Sequence, residues 1–486
     1  MLFNSLSFAV FLPIVFILYW LIGSKHLRFQ NVLLLVASYF FYAFWDYRFL
    51  FLLMFSTFLD YSTGIKVHEA ESKALKKFWL WLSVIINLGF LCVFKYYNFF
   101  TDSFAALLSG FGFRSNFGVI DVVLPVGISF YTFHGLSYIF DIYKKRIEPT
   151  KNFVDYSLFV SFFPLLVAGP IERATHLLPQ IKAKREFSYT TATDGLRQIM
   201  WGLFKKIVIA DNCAEYANMV FNNYTHYPGS VLAMGAVFFA FQIYCDFSGY
   251  SDIALGTARL FGIELIRNFA FPYFSRDIAE FWRRWHISLS SWFRDYLYIP
   301  LGGSKGSKLN QVRNIFIIFI VSGLWHGASW TFIAWGALNA LYFMPLLLLK
   351  RNRNNIETVA QGKLLPRLTD VLKMSLTFTL TVFAWIFFRA EDIPHAFSYI
   401  SGIFSRSILV LPTGESFMGG TVNVGAVIVL VVLFTVVEWI GREHQFAIAK
   451  TGLGWPKPVR WVFYLSVVVC IFYFTGVSQQ FVYFQF

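Results

Sequence analysis

One imidazole lies inside a long uncharged run of this chain. His326 occurs in Ser322-Gly-Leu-Trp-His-Gly-Ala-Ser-Trp330, within a stretch from Asn314 to Leu349 that contains no Asp, Glu, Lys or Arg. A neutral imidazole, with an ordinary pKa of ~6.5, takes a proton from an attacking hydroxyl near neutral pH. Leaving it against lipid is costly, so it must face a cavity or a partner. Gly323 and Gly327 let backbone or substrate approach closely. Trp325 beside it is a candidate indole donor to a developing oxyanion. The competing role for His326 is an interhelical hydrogen bond.

A second constellation runs from Glu280 to Pro300. His286 and Ser290 share a face at i, i+4 if this segment is helical, which makes His286 a candidate second catalytic or orienting group. Arg283, Arg284 and Arg294 suit the phosphates of a thioester donor. Together with Trp282, Trp285 and Trp292 they equally suit an interfacial anchor, and both readings stand. A third lies in Gln242-Ile-Tyr-Cys-Asp-Phe-Ser-Gly-Tyr-Ser-Asp252. There Asp246 needs a partner or water, and either orients a histidine or arginine or is simply paired. His134, preceded by Pro125 and Gly127, is expected to pack or to line a tunnel. There is no G-x-S-x-G elbow, H-E-x-x-H pair or Walker loop. The four cysteines are scattered without metal-ligand or redox spacing, and no metal is predicted.

The elements that hold these residues are those of a membrane protein. Of 486 residues, 57% are hydrophobic, 21% aromatic and 14% charged, against about a quarter charged in soluble domains. The mean hydropathy is +0.57. The net charge of +14 comes from Lys and Arg in short loops, where they orient the chain and attract anionic lipid headgroups; it does not point to nucleic acid. A spanning helix needs ~20 apolar residues. Candidates are 3–23, 29–45, 48–65, 78–98, 122–143, 154–170, 231–250, 371–389, 420–440 and 459–478. As one helix the run from Asn314 to Leu349 would be about 54 Å long, nearly twice the hydrocarbon core, so it must break near Gly323–Gly327. The start has no basic n-region and no small-residue cleavage site, and reads as a retained first span. Lys25, Arg28, Lys66, Lys73, Lys76, Lys77, Lys144, Lys145, Arg146, Lys350, Arg351 and Arg353 mark cytoplasmic loops. The loops 46–48, 99–121 and 222–230 are poor in Lys and Arg, which puts the N-terminus outside. Residues 171–215 and 266–313 read as interfacial or re-entrant helices with basic edges at headgroup level. The expectation is one all-α polytopic domain over 1–486, with about 10–13 membrane segments and a motif core at roughly 120–345.

Six motifs in order carry a resemblance. They are Leu124-Pro-Val-Gly-Ile-Ser-Phe130, Phe163-Pro-Leu-Leu-Val-Ala-Gly-Pro170, Tyr244-Cys-Asp-Phe-Ser-Gly-Tyr-Ser-Asp252, Phe281-Trp-Arg-Arg-Trp-His-Ile-Ser-Leu-Ser290, Tyr296-Leu-Tyr-Ile-Pro-Leu-Gly-Gly303 and Gly323-Leu-Trp-His-Gly327. Nearly end to end, the chain resembles the membrane-bound O-acyltransferase (MBOAT) family, in particular its bacterial alginate O-acetyltransferase branch. The teichoic-acid D-alanylation membrane protein is a more distant relative. The resemblance implies a helical bundle with re-entrant helices around a transmembrane tunnel, in a bacterial cytoplasmic (inner) membrane. It places the family's histidine on His326 and its second polar position on His286. It further implies acetyl-CoA as donor. The implied acceptor is a periplasmic partner of the Ser-Gly-Asn-His (SGNH) hydrolase type, or a polysaccharide directly. One departure is Trp335-Gly-Ala-Leu-Asn339-Ala, where alginate-type members often carry a histidine at the fifth position. A transporter or flippase, and a non-catalytic scaffold for a periplasmic acetyltransferase, are the rival classes. The absence of internal repeats weakens the former.

Overall fold

The computed structural model describes residues 1–21, 26–113, 118, 123–167, 169–412, 417 and 419–482. Gly23, Lys25, Val122, Ala168 and part of the 99–121 loop lie outside the described residues. Among the described residues every regular element is helical, as expected for an all-α membrane protein. Two compact units emerge: Met1–Ala192 with Ala258–Ile266, and Thr193–Thr257 with Arg267–Phe486.

The first unit holds α1 (Leu6–Leu21), α2 (Leu27–Ala43), α3 (Tyr47–Glu69), α4 (Lys73–Leu91), α5 (Tyr97–Gly110), α6 (Ile128–Tyr143), α7 (Phe153–Ser161), α8 (Phe163–Leu166), α9 (Ala174–Lys182) and the start of α10 (Tyr189–Leu203). Some of its interior polar groups are satisfied internally, as an apolar surround favours. Asp60 accepts from Ser83 Oγ at 2.6 Å and Asn87 Nδ2 at 2.8 Å, and Asn31 donates to Asp155 at 2.9 Å. The span expected over 154–170 is not one helix. It breaks at Phe162, where ψ is 114°, because Pro164 offers no N–H to a continuing helix and its ring would clash with the preceding turn.

The second unit continues with α11 (Asp211–Asn222), α12 (Gly229–Leu260), α13 (Ile278–Arg284), α14 (Ile287–Phe293), α15 (Lys308–His326), α16 (Trp330–Leu348), α17 (Leu368–Arg389), α18 (Ile393–Ile403), α19 (Val424–Gly441) and α20 (Lys457–Tyr473). The unit boundary returns the last residues of α12 to the first unit. Among the described residues, six helical stretches are long and apolar enough to cross a membrane: Tyr47–Glu69, Lys73–Gly110, Gly229–Leu260, Trp330–Leu348, Leu368–Arg389 and Val424–Gly441. Leu433, Val462, Leu465 and Phe472 are exposed, which suits a surface solvated by lipid.

The long uncharged run breaks where its glycines and polar residues fall. α15 ends at His326, Gly327 is extended, and Ser329 caps α16 by accepting from the Thr331 N–H. The two helices then pack backbone to backbone. A Cβ at Gly323 would lie 2.2 Å from the Phe332 carbonyl oxygen, and one at Gly336 would lie 2.3 Å from that of Phe319. Only residues without a side chain permit this approach. Gly336→Val is therefore expected to cost ~1–3 kcal/mol through overpacking, read as a lower thermal midpoint of the detergent-solubilised protein. An unchanged midpoint would contradict the packing account.

Candidate active site

His326 is the last residue of α15 and is 3% exposed. Its ring is enclosed by aromatic side chains: Trp325 at 4.8 Å between centroids, Trp335 of α16 at 5.2 Å and Phe388 of α17 at 5.3 Å. Trp385 stacks on Trp335 at 5.7 Å. The packing of α15, α16 and α17 thus encloses the imidazole in aromatic side chains.

A second imidazole faces the same place. His286 is fully buried, and its ring centroid lies 6.4 Å from that of His326 and 5.9 Å from that of Trp325. His286 is the residue before α14 rather than part of it, and has φ 43° and ψ 55°. A non-glycine residue rarely sits in this left-handed region; strain held at such a point often marks a functional position. Ser290 is tied to His286 through the backbone, its N–H donating to the His286 carbonyl, while its hydroxyl donates to the Trp285 carbonyl at 3.4 Å.

Asn268 holds His286. Its Oδ1 accepts from the Ser288 N–H at 3.3 Å and the Ser288 hydroxyl at 3.0 Å, and lies 3.0 Å from His286 Nδ1. Because a backbone N–H can only donate, that atom is the amide oxygen, and His286 Nδ1 carries the proton. His286 Nε2 then presents a lone pair, and it has no hydrogen-bond partner among the described residues. Asn268 was missed in the sequence because an asparagine outside a helix carries no periodic signal.

An apolar cavity of about 220 Å³ is lined by residues of the same helices, although neither imidazole is part of its wall. Its wall includes Ser290, four residues after His286, and Ser322, four before His326. Trp282, also in the wall, packs against Trp335 at 5.7 Å. Arg294, Asn352 and Arg353 supply the polar part. Arg294 is exposed and, among the described residues, pairs with its neighbour Asp295 at 2.7 Å. Arg283 and Arg284 are placed differently. Arg283 donates to the Asn352 and Asn355 carbonyls at 2.7 Å. Arg284 binds buried Glu280 at 2.9 Å and the Glu357 carbonyl at 3.1 Å. Both fasten the 352–357 loop.

Asp246 belongs to a buried charge network. Lys205 and Lys206 lie in a π-helical turn, Phe204–Ala210, and are 3% and 1% exposed. Lys206 Nζ is 2.7 Å from both Asp211 and Asp246, and Lys205 Nζ is 2.6 Å from Asp252. Asp246 also accepts from the Val482 N–H at 2.7 Å. The basic edge expected at headgroup level around Lys205 and Lys206 is thus turned inward, because three carboxylates face it. A polar crevice lined by Lys205, Asp252, Arg267, Glu438 and Asn268 connects this network to the residue that holds His286. The signal was present in the sequence as two adjacent lysines in an apolar run, opposite carboxylates in apolar spans.

His134 lies in the first unit, where its Nε2 accepts from the Glu172 N–H at 3.1 Å. Glu172 is buried and bridges His176 Nδ1 at 2.8 Å and the Ile266 N–H at 2.6 Å. Among the described residues no group of three or more His, Cys, Asp or Glu side chains could hold a metal ion.

Comparison with known proteins bears on this geometry. The profile of the membrane-bound O-acyltransferase family (MBOAT) matches residues 144–378, which include both histidines. The chain is 40% identical over 408 residues to the probable alginate O-acetylase AlgI of Pseudomonas aeruginosa, covering 83% of this chain and 75% of that protein. It is 37% identical over 432 residues to the peptidoglycan O-acetyltransferase of Helicobacter pylori, covering 83% and 80%. Similarity to the teichoic acid D-alanyltransferase of Bacillus subtilis is 28% over 282 residues, covering 56% and 70%.

The charge network yields its own prediction. Lys206→Met leaves Asp246 and Asp211 buried without their cation and is expected to cost ~3–5 kcal/mol, read as loss of monodisperse protein on size exclusion. Adding Asp246→Asn restores part of it; wild-type behaviour of the single variant would refute the pairing.

Proposed function

Since this chain belongs to the membrane-bound O-acyltransferase family, we propose that it takes an acetyl group from cytoplasmic acetyl-CoA and delivers it to a hydroxyl outside the cytoplasmic membrane of a bacterium. The acceptor is a cell-surface polysaccharide or the serine of a periplasmic acetyltransferase of the SGNH type. The observation that carries this reading is the pair of buried imidazoles, 6.4 Å apart and enclosed by aromatic rings, with Ser290 and Ser322 leading from them into an apolar cavity. The names of the relatives support polysaccharide O-acetylation as the reaction class.

The orientation follows from charge. Lys66, Lys73, Lys76 and Lys77 flank one end of α3 and α4, and Lys350, Arg351, Arg353, Lys363 and Arg367 lie between α16 and α17; these loops are assigned to the cytoplasm. α15 and α17 then run outward, and His326 and Phe388 lie near their outer ends. The apolar cavity lies on the cytoplasmic side of the two imidazoles, with Arg294 and Arg353 in its wall. A donor whose phosphates carry several charges keeps them at such a basic mouth, while its uncharged pantetheine arm enters an apolar slot.

The chemistry divides between the two rings. His326 takes the proton of the attacking hydroxyl as its oxygen bonds to the thioester carbonyl carbon. The tetrahedral intermediate collapses with cleavage of the C–S bond, and the proton passes to the leaving thiolate. His286, held with its proton towards Asn268, has none to offer the carbonyl oxygen. It accepts instead, from the acceptor hydroxyl or a donor amide N–H, and so orients one reactant. The Trp325 indole and the backbone N–H groups near Gly327 are the candidates for stabilising the oxyanion.

Purified protein with labelled acetyl-CoA and an acceptor tests this. His326→Ala is expected to lower transfer at least ~10²-fold with unchanged elution and thermal midpoint; a normal rate overturns the assignment. Asn268→Leu leaves His286 unheld and is expected to lower transfer ~10-fold or more, whereas Asn268→Asp, which keeps the acceptor, recovers most of it. Equal losses in both Asn268 variants would remove the positioning role.

A further inference from the structure

A second cavity in the second unit has a different character. It measures about 340 Å³, within the range of ligand clefts. Seven of its nine wall residues carry a hydroxyl and none is charged. It is framed by a 3₁₀ turn at Tyr224–His226, just before α12, and by α18 with the 3₁₀ turn Arg406–Leu409. On the orientation proposed above, all of these face the outside.

The walls are fixed in place. The Gly229 N–H donates to Ser407 Oγ at 2.8 Å, and Tyr399 Oη donates to the Leu232 carbonyl at 2.8 Å. Tyr224 stacks on His395 at 4.4 Å and 16°, which leaves its other face unstacked among the described residues. By contrast Thr225, Tyr227, Ser398 and Ser401 make no side-chain hydrogen bond among the described residues. The cavity is therefore preformed, and its unused hydroxyls and tyrosine rings are its only recognition chemistry.

That chemistry matches a sugar. A hydroxyl both donates and accepts, as the alcohols of a pyranose do, and the C–H face of the ring packs on the electron-rich face of a tyrosine. A uronate or an anionic lipid headgroup would meet no cation in this wall. The cavity also lies close along the chain to the chemistry: Phe388, which packs on His326, is in the last turn of the helix that leads through Ala390–Asp392 into α18.

We propose that the cavity formed by Tyr224, Tyr227, Ser398 and Ser401 is a docking subsite for an uncharged glycan segment, holding the acceptor polymer on the outer face. It rests on the reading of the chain as an acyltransferase whose acceptor arrives from outside. The test uses full-length protein in nanodiscs and measures binding of a β-1,4-linked N-acetylglucosamine tetramer and of a hexuronate tetramer. The neutral tetramer is expected to bind at least ~10-fold more tightly than the uronate, and Ser401→Trp and Tyr227→Ala are each expected to weaken it ~10-fold or more. Acetyl transfer to a small soluble alcohol is expected to be unchanged in both variants, whose elution profile reports folding. Failure of the neutral tetramer to bind, binding untouched by both substitutions, a preference for the uronate, or occupancy by nanodisc lipid alone would each overturn the subsite. His326→Ala separates the two readings: sugar binding that persists without acetyl transfer supports both. Transfer that persists in that variant strikes the catalytic assignment and leaves the binding result standing.

Discussion

Contact between the backbones of α15 and α16 is the constraint on which the site depends. Two helices that meet at Gly323 and Gly336 bring their turns closer than any side chain allows. The connection between them is then short, and the last residue of α15 is forced into the gap against Trp335 rather than out to lipid. An imidazole at that point is held by shape. The aromatic rings around it exclude water, so each polar contact made inside acts in a medium of low dielectric.

The same scarcity of water explains the rest of the second unit. Several charged groups buried there are paired. Lys206 answers Asp246 and Asp211, Lys205 answers Asp252, and Glu280 is shared by Arg276 and Arg284 at 3.0 and 2.9 Å. Against this background the Nε2 of His286, which has no partner among the described residues, stands out because its Nδ1 is so firmly assigned. A buried lone pair left open beside a second imidazole is a place for a ligand's donor.

Much of this was legible in the residues. The break after His326 followed from length and glycine alone, and the membrane class from composition. Intramembrane charge flagged Asp246 without naming its partner, because Lys206 lies forty residues away and periodicity is silent on long-range pairing. Arg283 and Arg284 matched phosphate chemistry by type, yet they spend their donors on the carbonyls of a loop whose fold no local pattern announces. The break at Phe162 was readable from Pro164 and was overridden by the apolar run around it. His286 illustrates the opposite limit: its residue type pointed to chemistry, but its left-handed backbone and its tether to Asn268 are tertiary facts.

The central claim is that one chamber, walled by both imidazoles, receives the donor's acyl end. The direct measurement is a structure of the full-length protein with a non-hydrolysable thioether analogue of acetyl-CoA. The account predicts the thioether sulfur in contact with the aromatic wall between His286 and His326, with the phosphates against Arg294 and Arg353. An analogue bound with its acyl end remote from both rings would contradict it.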